Sequence, residues 1–251
     1  MNAFLSCHRM KTLLLSGFCF VCFFATAQVS AQSKNTRGGF LDFNLYPHLT
    51  DVDTDSVFTL NAAAKLGQRF SYFSLLNLYS QEGSDSLGDA DAFYTEQNIR
   101  WQIRENSPLD LTLQMNLRTG EDNDRHRLGI RWRLSDTSFL QAFFKSIHLR
   151  YAINLHAVQF DHEDPYIWQL EHSFMMKFPY ISNRLYLAGF ADHIFNQDLP
   201  STIPANPVVL EAQLGYRLVE NFFIVSEYRL NQYRRSDVNN LAIGLQYKFI
   251  W

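Results

Sequence analysis

From Leu109 to Arg118 the chain reads LDLTLQMNLR, apolar at every odd position and polar at every even one. Successive side chains on a β-strand point to opposite faces. Leu109, Leu111, Leu113, Met115 and Leu117 therefore share one face, and Asp110, Thr112, Gln114, Asn116 and Arg118 share the other. A helix would scatter both sets around its circumference. The pattern recurs. Leu128, Ile130, Trp132 and Leu134 alternate with Arg127, Gly129, Arg131 and Arg133. Phe93, Ile99, Trp101 and Ile103 alternate with Glu96, Asn98, Arg100, Gln102 and Arg104. Ile147, Leu149, Tyr151, Ile153 and Leu155 alternate with His148, Arg150, Asn154 and His156.

Such runs predict about twelve strands, over 39–46, 56–66, 69–80, 92–104, 109–118, 126–134, 146–159, 166–178, 184–195, 208–218, 221–232 and 239–251. Their lengths suit the ~9–11 residues that cross a bilayer when tilted. The links after strands 2, 4, 8 and 10 are short, while those after the odd strands are longer and polar, as in barrels with short periplasmic turns and long outer loops. The link 135–145 is a long inner one containing FLQAFF, which suggests an interfacial turn of helix.

The first 31 residues carry Arg9 and Lys11 and no acid, then the apolar run TLLLSGFCFVCFFA, then the small-residue patterns Ala25-Thr26-Ala27 and Val29-Ser30-Ala31. This is the expected layout of a cleaved secretory signal, residues 1–31, leaving 32–251 as one domain. Cys7, Cys19 and Cys22 all fall within it, so the mature chain has no thiol for a disulfide or a metal. Phe18 and Val21 precede the last two where a lipid-anchored cysteine would follow a small residue. The mature chain keeps 20 bases and 25 acids, a net charge of about −5, which gives no nucleic-acid footprint. It has no continuous apolar stretch long enough for a spanning helix. Yet 47% of the sequence is hydrophobic and 15% aromatic. A closed barrel reconciles these facts, because apolar residues face lipid, polar residues face the lumen, and no strand edge is left unpaired in hydrocarbon. The expected fold is an all-β, transmembrane, antiparallel up-and-down barrel.

At the end of the chain Leu241, Ile243, Leu245, Tyr247, Phe249 and Trp251 form one apolar face, with Ala242, Gly244, Gln246 and Lys248 on the other. Here the chain resembles bacterial outer-membrane proteins in general, whose last strand ends in an aromatic residue. That resemblance implies an outer-membrane location, contact with lipid and lipopolysaccharide, and Tyr247, Phe249 and Trp251 as the signal read by the barrel-assembly machinery.

The polar phase predicts the lumen. Strands 4 to 7 contribute Arg100, Arg104, Arg118, Arg127, Arg131, Arg133, His148 and Arg150 against Glu96 and Asp110. Strands 8 to 11 contribute Glu171, Asp192, Glu211 and Glu227 against Lys177, Arg217 and Arg229. A basic wall facing a more acidic one sets up a transverse field that orients polar solutes. A salt-bridged plug is the alternative use of the same charges. Each even strand ends in an inward-phase base, namely Lys65, Arg104, Arg133, Lys177, Arg217 and Lys248, which suggests a basic ring at the periplasmic mouth. Snorkelling to the interface would also place long bases there.

The outer links are acidic, for instance Glu82, Asp85, Asp89, Glu121, Asp122, Asp161, Glu163 and Asp164. Solvated loop tips explain them, with loose divalent bridging to lipid head groups. The Asp51-Val52-Asp53-Thr54-Asp55 spacing starts like a calcium loop, but Ser56 and Leu66 stand where glycine and glutamate are needed. No metal or other cofactor is expected. A lipid-hydrolysing barrel needs a histidine beside its serine on one face of a strand. There is no His-x-Ser here, and His172 and Ser173 are adjacent and so point apart. His172 shares the outward phase of Trp168, Leu170, Phe174 and Met176. The expectation is a non-enzyme.

The chain also resembles the nucleoside-specific outer-membrane channel (Tsx-like) family, in size, in strand number, in the early hairpin DSVFTLNAAAKLGQRFSYFSLLNLYS and in the block SNRLYLAGFADHIF. The resemblance implies passive uptake of small polar solutes, possible nucleosides among them, with Tyr94, Tyr186 and Phe190 as inward-phase aromatics able to stack a base. A structural or adhesive barrel with a plugged lumen, and a lipid-acting enzyme, are the rival expectations.

Overall fold

A computed structural model describes residues 38–46, 56–80, 90–120, 124–160, 166–234 and 238–251. The expected signal segment, the Asp51–Asp55 spacing and most of the acidic loop residues lie outside them. Twelve strands follow in chain order: β1 (Gly39–Leu45), β2 (Ser56–Lys65), β3 (Phe70–Ser80), β4 (Ala90–Gln102), β5 (Leu109–Arg118), β6 (Arg125–Arg133), β7 (Leu149–Gln159), β8 (Trp168–Phe178), β9 (Ser182–Phe195), β10 (Val208–Val219), β11 (Phe222–Asn231) and β12 (Asn239–Ile250). Each pairs antiparallel with its neighbours in sequence, and β1 pairs with β12 to close the cylinder. Closure leaves no sheet edge.

Burial is inverted relative to a water-soluble protein. The largest fully buried side chains include His156, Gln114, Gln169, Gln246, Asn44 and Asn98, while Leu111, Leu128, Ile130, Leu241 and Ile243 are exposed on the outside. Soluble folds place amides at the surface and leucine in the core. An apolar outer wall around a polar interior is the arrangement of barrels that span the bacterial outer membrane, where lipid replaces the core as the partner of the apolar face. No helix among the described residues is long and apolar enough to cross a membrane.

Most strand ends fall one to three residues from the sequence expectation, and at two of them the departure has the same cause. The link between β6 and β7 folds as a 3₁₀ turn, Leu134–Asp136, and a short helix α1, Gln141–Ser146. Phe144 of α1 stacks on Tyr151, with ring centroids 6.2 Å apart. His148, at φ 53°, then turns the chain through the left-handed region, and β7 begins only at Leu149. The extended phase is broken there, so alternation cannot be carried back to 146. Likewise β4 ends at Gln102, because the turn to β5 runs through Asn106 at φ 58°. A bulge between β6 and β7 shifts the register after Gly129–His156, so Gln159 rather than Val158 faces inward beside Arg127. Bulges re-aim side chains in this way.

Candidate solute pathway

The inward phase encloses a cavity of about 1250 Å³. Its lining runs from Ser135 and Asp136, at the end with the short turns, to Gln197, Leu199 and Tyr233 among the links at the other end. The cavity thus follows the barrel along its length. Glu96, Arg100, Arg118, Arg127, Arg131, Arg150, Glu171, Asp192, Glu211 and Glu227 all line it.

His148 does not. It is exposed in the turn before β7, with its ring 5.6 Å from that of Tyr180 in the next turn. The lumen position assigned to it from alternation is corrected by the left-handed residue itself, which ends the strand phase. Arg104 is corrected in the same way, since it lies exposed in the β4–β5 turn, beyond the strand. Of the six expected mouth bases, Arg133 and Lys248 line the cavity, and both are paired with acids. Arg133 binds Asp110 and also Asp136 at 2.7 Å, and Lys248 reaches Asp42 at 3.1 Å. Lys65 and Lys177 are exposed, and Arg217 is half-buried.

Cross-strand register assembles the centre of the lumen. Glu171 on β8 faces Asn154 on β7 and Asp192 on β9. It accepts from Asn154 Nδ2 and meets His156 Nε2, each at 3.3 Å. Glu96 on β4 accepts from Asn98 Nδ2 at 2.7 Å and from the Tyr94 hydroxyl at 3.3 Å. Arg127 donates to Gln159 Oε1 at 3.0 Å and Gln114 Oε1 at 3.1 Å. Arg131 stands 3.8 Å from Asp110. The basic wall of β4–β7 and the acids of β8 and β9 are therefore close enough to act on one another. Asp192 feels Glu171, Glu96 and Arg127.

A second cluster was not foreseen from the sequence. Tyr46, just past β1, continues the inward phase of Asp42 and Asn44 and is buried in the lumen. Its hydroxyl bonds Glu227, its ring lies 4.8 Å under the Arg229 guanidinium, and Arg229 Nε donates to Glu227 at 2.6 Å. Gln213 and Gln246 then link Asn44, Asp42 and the Tyr186 hydroxyl into one amide network. The period-two continuation from Asn44 to Tyr46 was the available signal. The small residue opposite, Gly244, makes the room, for a Cβ there would meet Tyr46 Cδ1 at 2.7 Å. At the far mouth Tyr233 donates to Gln197 at 2.5 Å, and burial pushes its phenol up to about 12, so it stays protonated.

Tyr94, Tyr186 and Phe190 all line the cavity. The Tyr94 ring carries Arg118 at 5.2 Å and the Tyr186 ring carries Lys248 at 5.4 Å. On the outer wall, Tyr247, Phe249 and Trp251 are exposed, and the rings of Phe249 and Trp251 lie 5.8 Å apart. His172 also faces outward. Its Nδ1 is bonded to the Tyr151 hydroxyl at 2.6 Å and its ring lies 5.7 Å from that of His193. Ser173 lines the cavity on the opposite face. Among the described residues no cluster of three metal-ligating side chains occurs.

No family model matches the chain, and no curated protein matches it. Among solved structures, the chain is similar to the KdgM porin in complex with disordered oligogalacturonate, at 13% identity and a TM-score of 0.47 over 84% of this chain and 99% of that one. It is also similar to a Rhodopseudomonas blastica porin triple mutant, at 9% identity and 0.34 over 86% and 99%. Pseudomonas aeruginosa OccK11 aligns at 10% identity and 0.35 over 84% and 63%. Likeness at this level names no solute for this chain.

Proposed function

We propose that this barrel is an outer-membrane channel for passive diffusion of small polar solutes. The carrying observation is the lengthwise cavity, about 1250 Å³, walled by charged and amide side chains, several of them hydrogen-bonded to one another. Twelve strands fall between eight-stranded barrels, filled by side chains, and sixteen-stranded ones with an open aqueous channel. A narrow pore whose wall touches its solute fits that size. The outward His172 and inward Ser173 leave no nucleophile–base pair on that strand, which favours transport over lipid hydrolysis. A nucleoside is the finer candidate that the Tsx-like resemblance brings. In that reading the lumen rings of Tyr94, Tyr186 and Phe190 are the ones that stack a base.

The same reading has the outer loops contacting lipopolysaccharide and Tyr247, Phe249 and Trp251 engaging the assembly machinery. Its test is single-channel recording of the folded protein in planar bilayers, with a panel of solutes added as blockers. Discrete conductance steps, interrupted by at least one polar solute class, are expected. A barrel that inserts and never conducts is plugged, and the proposal falls.

A further inference from the structure

Once the ion pairs of the lumen are assigned, charges of both signs remain. Asp110 is held by Arg133 and Arg131, Glu227 by Arg229 and Asp42 by Lys248, while Glu171 is hydrogen-bonded to His156. Among the described residues no ion pair holds Glu96, Asp192, Arg100 or Arg118. The two arginines lie instead against rings, Arg100 at 5.4 Å from Phe73 and Arg118 at 5.2 Å from Tyr94. Polar atoms in this belt also lack partners: Asp192 Oδ1, Arg100 Nε, and the side-chain oxygens of Asn98 and Asn116, two residues that are almost wholly buried. The four charged groups all line the cavity. They are neighbours as well. Glu96 interacts with Arg100 and Glu171, Asp192 with Glu96, and Arg118 sits across from Tyr94 in the β4–β5 register.

A lumen built to pass anions would leave only bases over. Here an anion that approaches Arg100 also meets Glu96, and a cation that approaches Glu96 also meets Arg100. A neutral polar solute gains hydrogen bonds only. A molecule with one charge of each sign gains from both, and low-dielectric walls strengthen that gain. We infer that this belt recognises small zwitterions bearing an ammonium and a carboxylate group, with Glu96 and Asp192 taking the ammonium and Arg100 and Arg118 the carboxylate. The inference rests on the channel reading above.

The test is swelling of liposomes holding the full folded chain, with four solutes of similar size: alanine as the zwitterion, lactamide as the neutral form, lactate as the anion and isopropylammonium as the cation. Alanine should enter several-fold faster than the other three. Glu96→Gln with Asp192→Asn should abolish that preference and speed lactate. Arg100→Gln with Arg118→Gln should abolish it and speed isopropylammonium. Reversal potentials in a potassium chloride gradient give a second reading, moving toward anions in the first pair and toward cations in the second. Equal entry of alanine and lactamide through a barrel that conducts overturns the zwitterion site and leaves the channel standing. Absence of both conductance and swelling overturns the channel, and the site with it.

Discussion

Gly39 and Trp251 exchange both of their backbone hydrogen bonds, at 3.1 and 3.2 Å, and the indole of Trp251 covers the place where a side chain on Gly39 would stand. A Cβ there would lie 2.5 Å from the ring and 2.5 Å from the Ala63 carbonyl oxygen. The seam that closes the barrel is thus built on the absence of a side chain at its first residue.

Gly39→Val forces the indole or the β2 backbone to move. Overpacking of this kind costs about 1–3 kcal/mol. Thermal unfolding in detergent, followed by tryptophan fluorescence, should show the loss. Gly67→Ala, where an added Cβ meets nothing within 4 Å, should leave the midpoint unchanged.

Arg133→Ala leaves the buried Asp110 with only Arg131, at 3.8 Å. Stripping the partner from a buried pair costs up to about 3–5 kcal/mol, less here because the Arg133 side chain is 21% exposed. Urea denaturation should place Arg133→Ala well below the wild type and the double variant Arg133→Met/Asp110→Leu closer to it. Equal losses in the two would show that the pair contributes through packing and not through charge.

Ile130, half exposed on the outer wall, faces hydrocarbon in this fold. Ile130→Arg should destabilise the bilayer-inserted protein by up to about 2–4 kcal/mol, the cost of arginine at the midplane. Arginine at Leu66, in a short turn, should cost far less. Comparable effects at the two positions in lipid would contradict a spanning wall.

Tyr46→Phe removes a hydrogen bond to Glu227 in the lumen, an expected loss of about 1–3 kcal/mol. Tyr46→Ala also vacates volume beside Gly244. Its single-channel conductance should exceed that of the wild type, whereas Tyr46→Phe should conduct almost normally.

Lys65 and Lys177 are exposed near the end with the short turns, and Arg104 is exposed in a turn there. Reversing all three to glutamate should move ion selectivity toward cations at low salt. The shift should fade near 1 M, where screening acts within about 3 Å. Unchanged selectivity at low salt would remove the mouth bases from any part in conduction.

How much of this was legible beforehand differs by position. The stretch 109–118 was delimited without error, because its alternation is unbroken and its ends are set by Pro108 and Gly120. The inward phase of Glu96, Arg131 and Asp192 followed from the same period. His148 was misplaced because one left-handed residue resets the phase, and Arg104 because the turn begins two residues early. Gln159 entered the lumen through a bulge that pairwise alternation does not announce. Tyr46 was legible in principle, as the next inward position after Asn44.

Side-chain period is local. It requires only that successive residues be extended, so the strands, their two faces, the antiparallel order and the polarity of the interior can be read from residue order. Apart from Glu227 with Arg229 and Arg133 with Asp136, which charges neutralise one another is not local. Asp110 with Arg133, Glu227 with Tyr46 and Asp42 with Lys248 are separated by 23, 181 and 206 positions along the chain and meet only through register and closure. The tertiary structure alone decided that these acids are occupied while Glu96, Asp192, Arg100 and Arg118 are left facing the passage, because that outcome depends on the stagger of twelve strands around a closed cylinder.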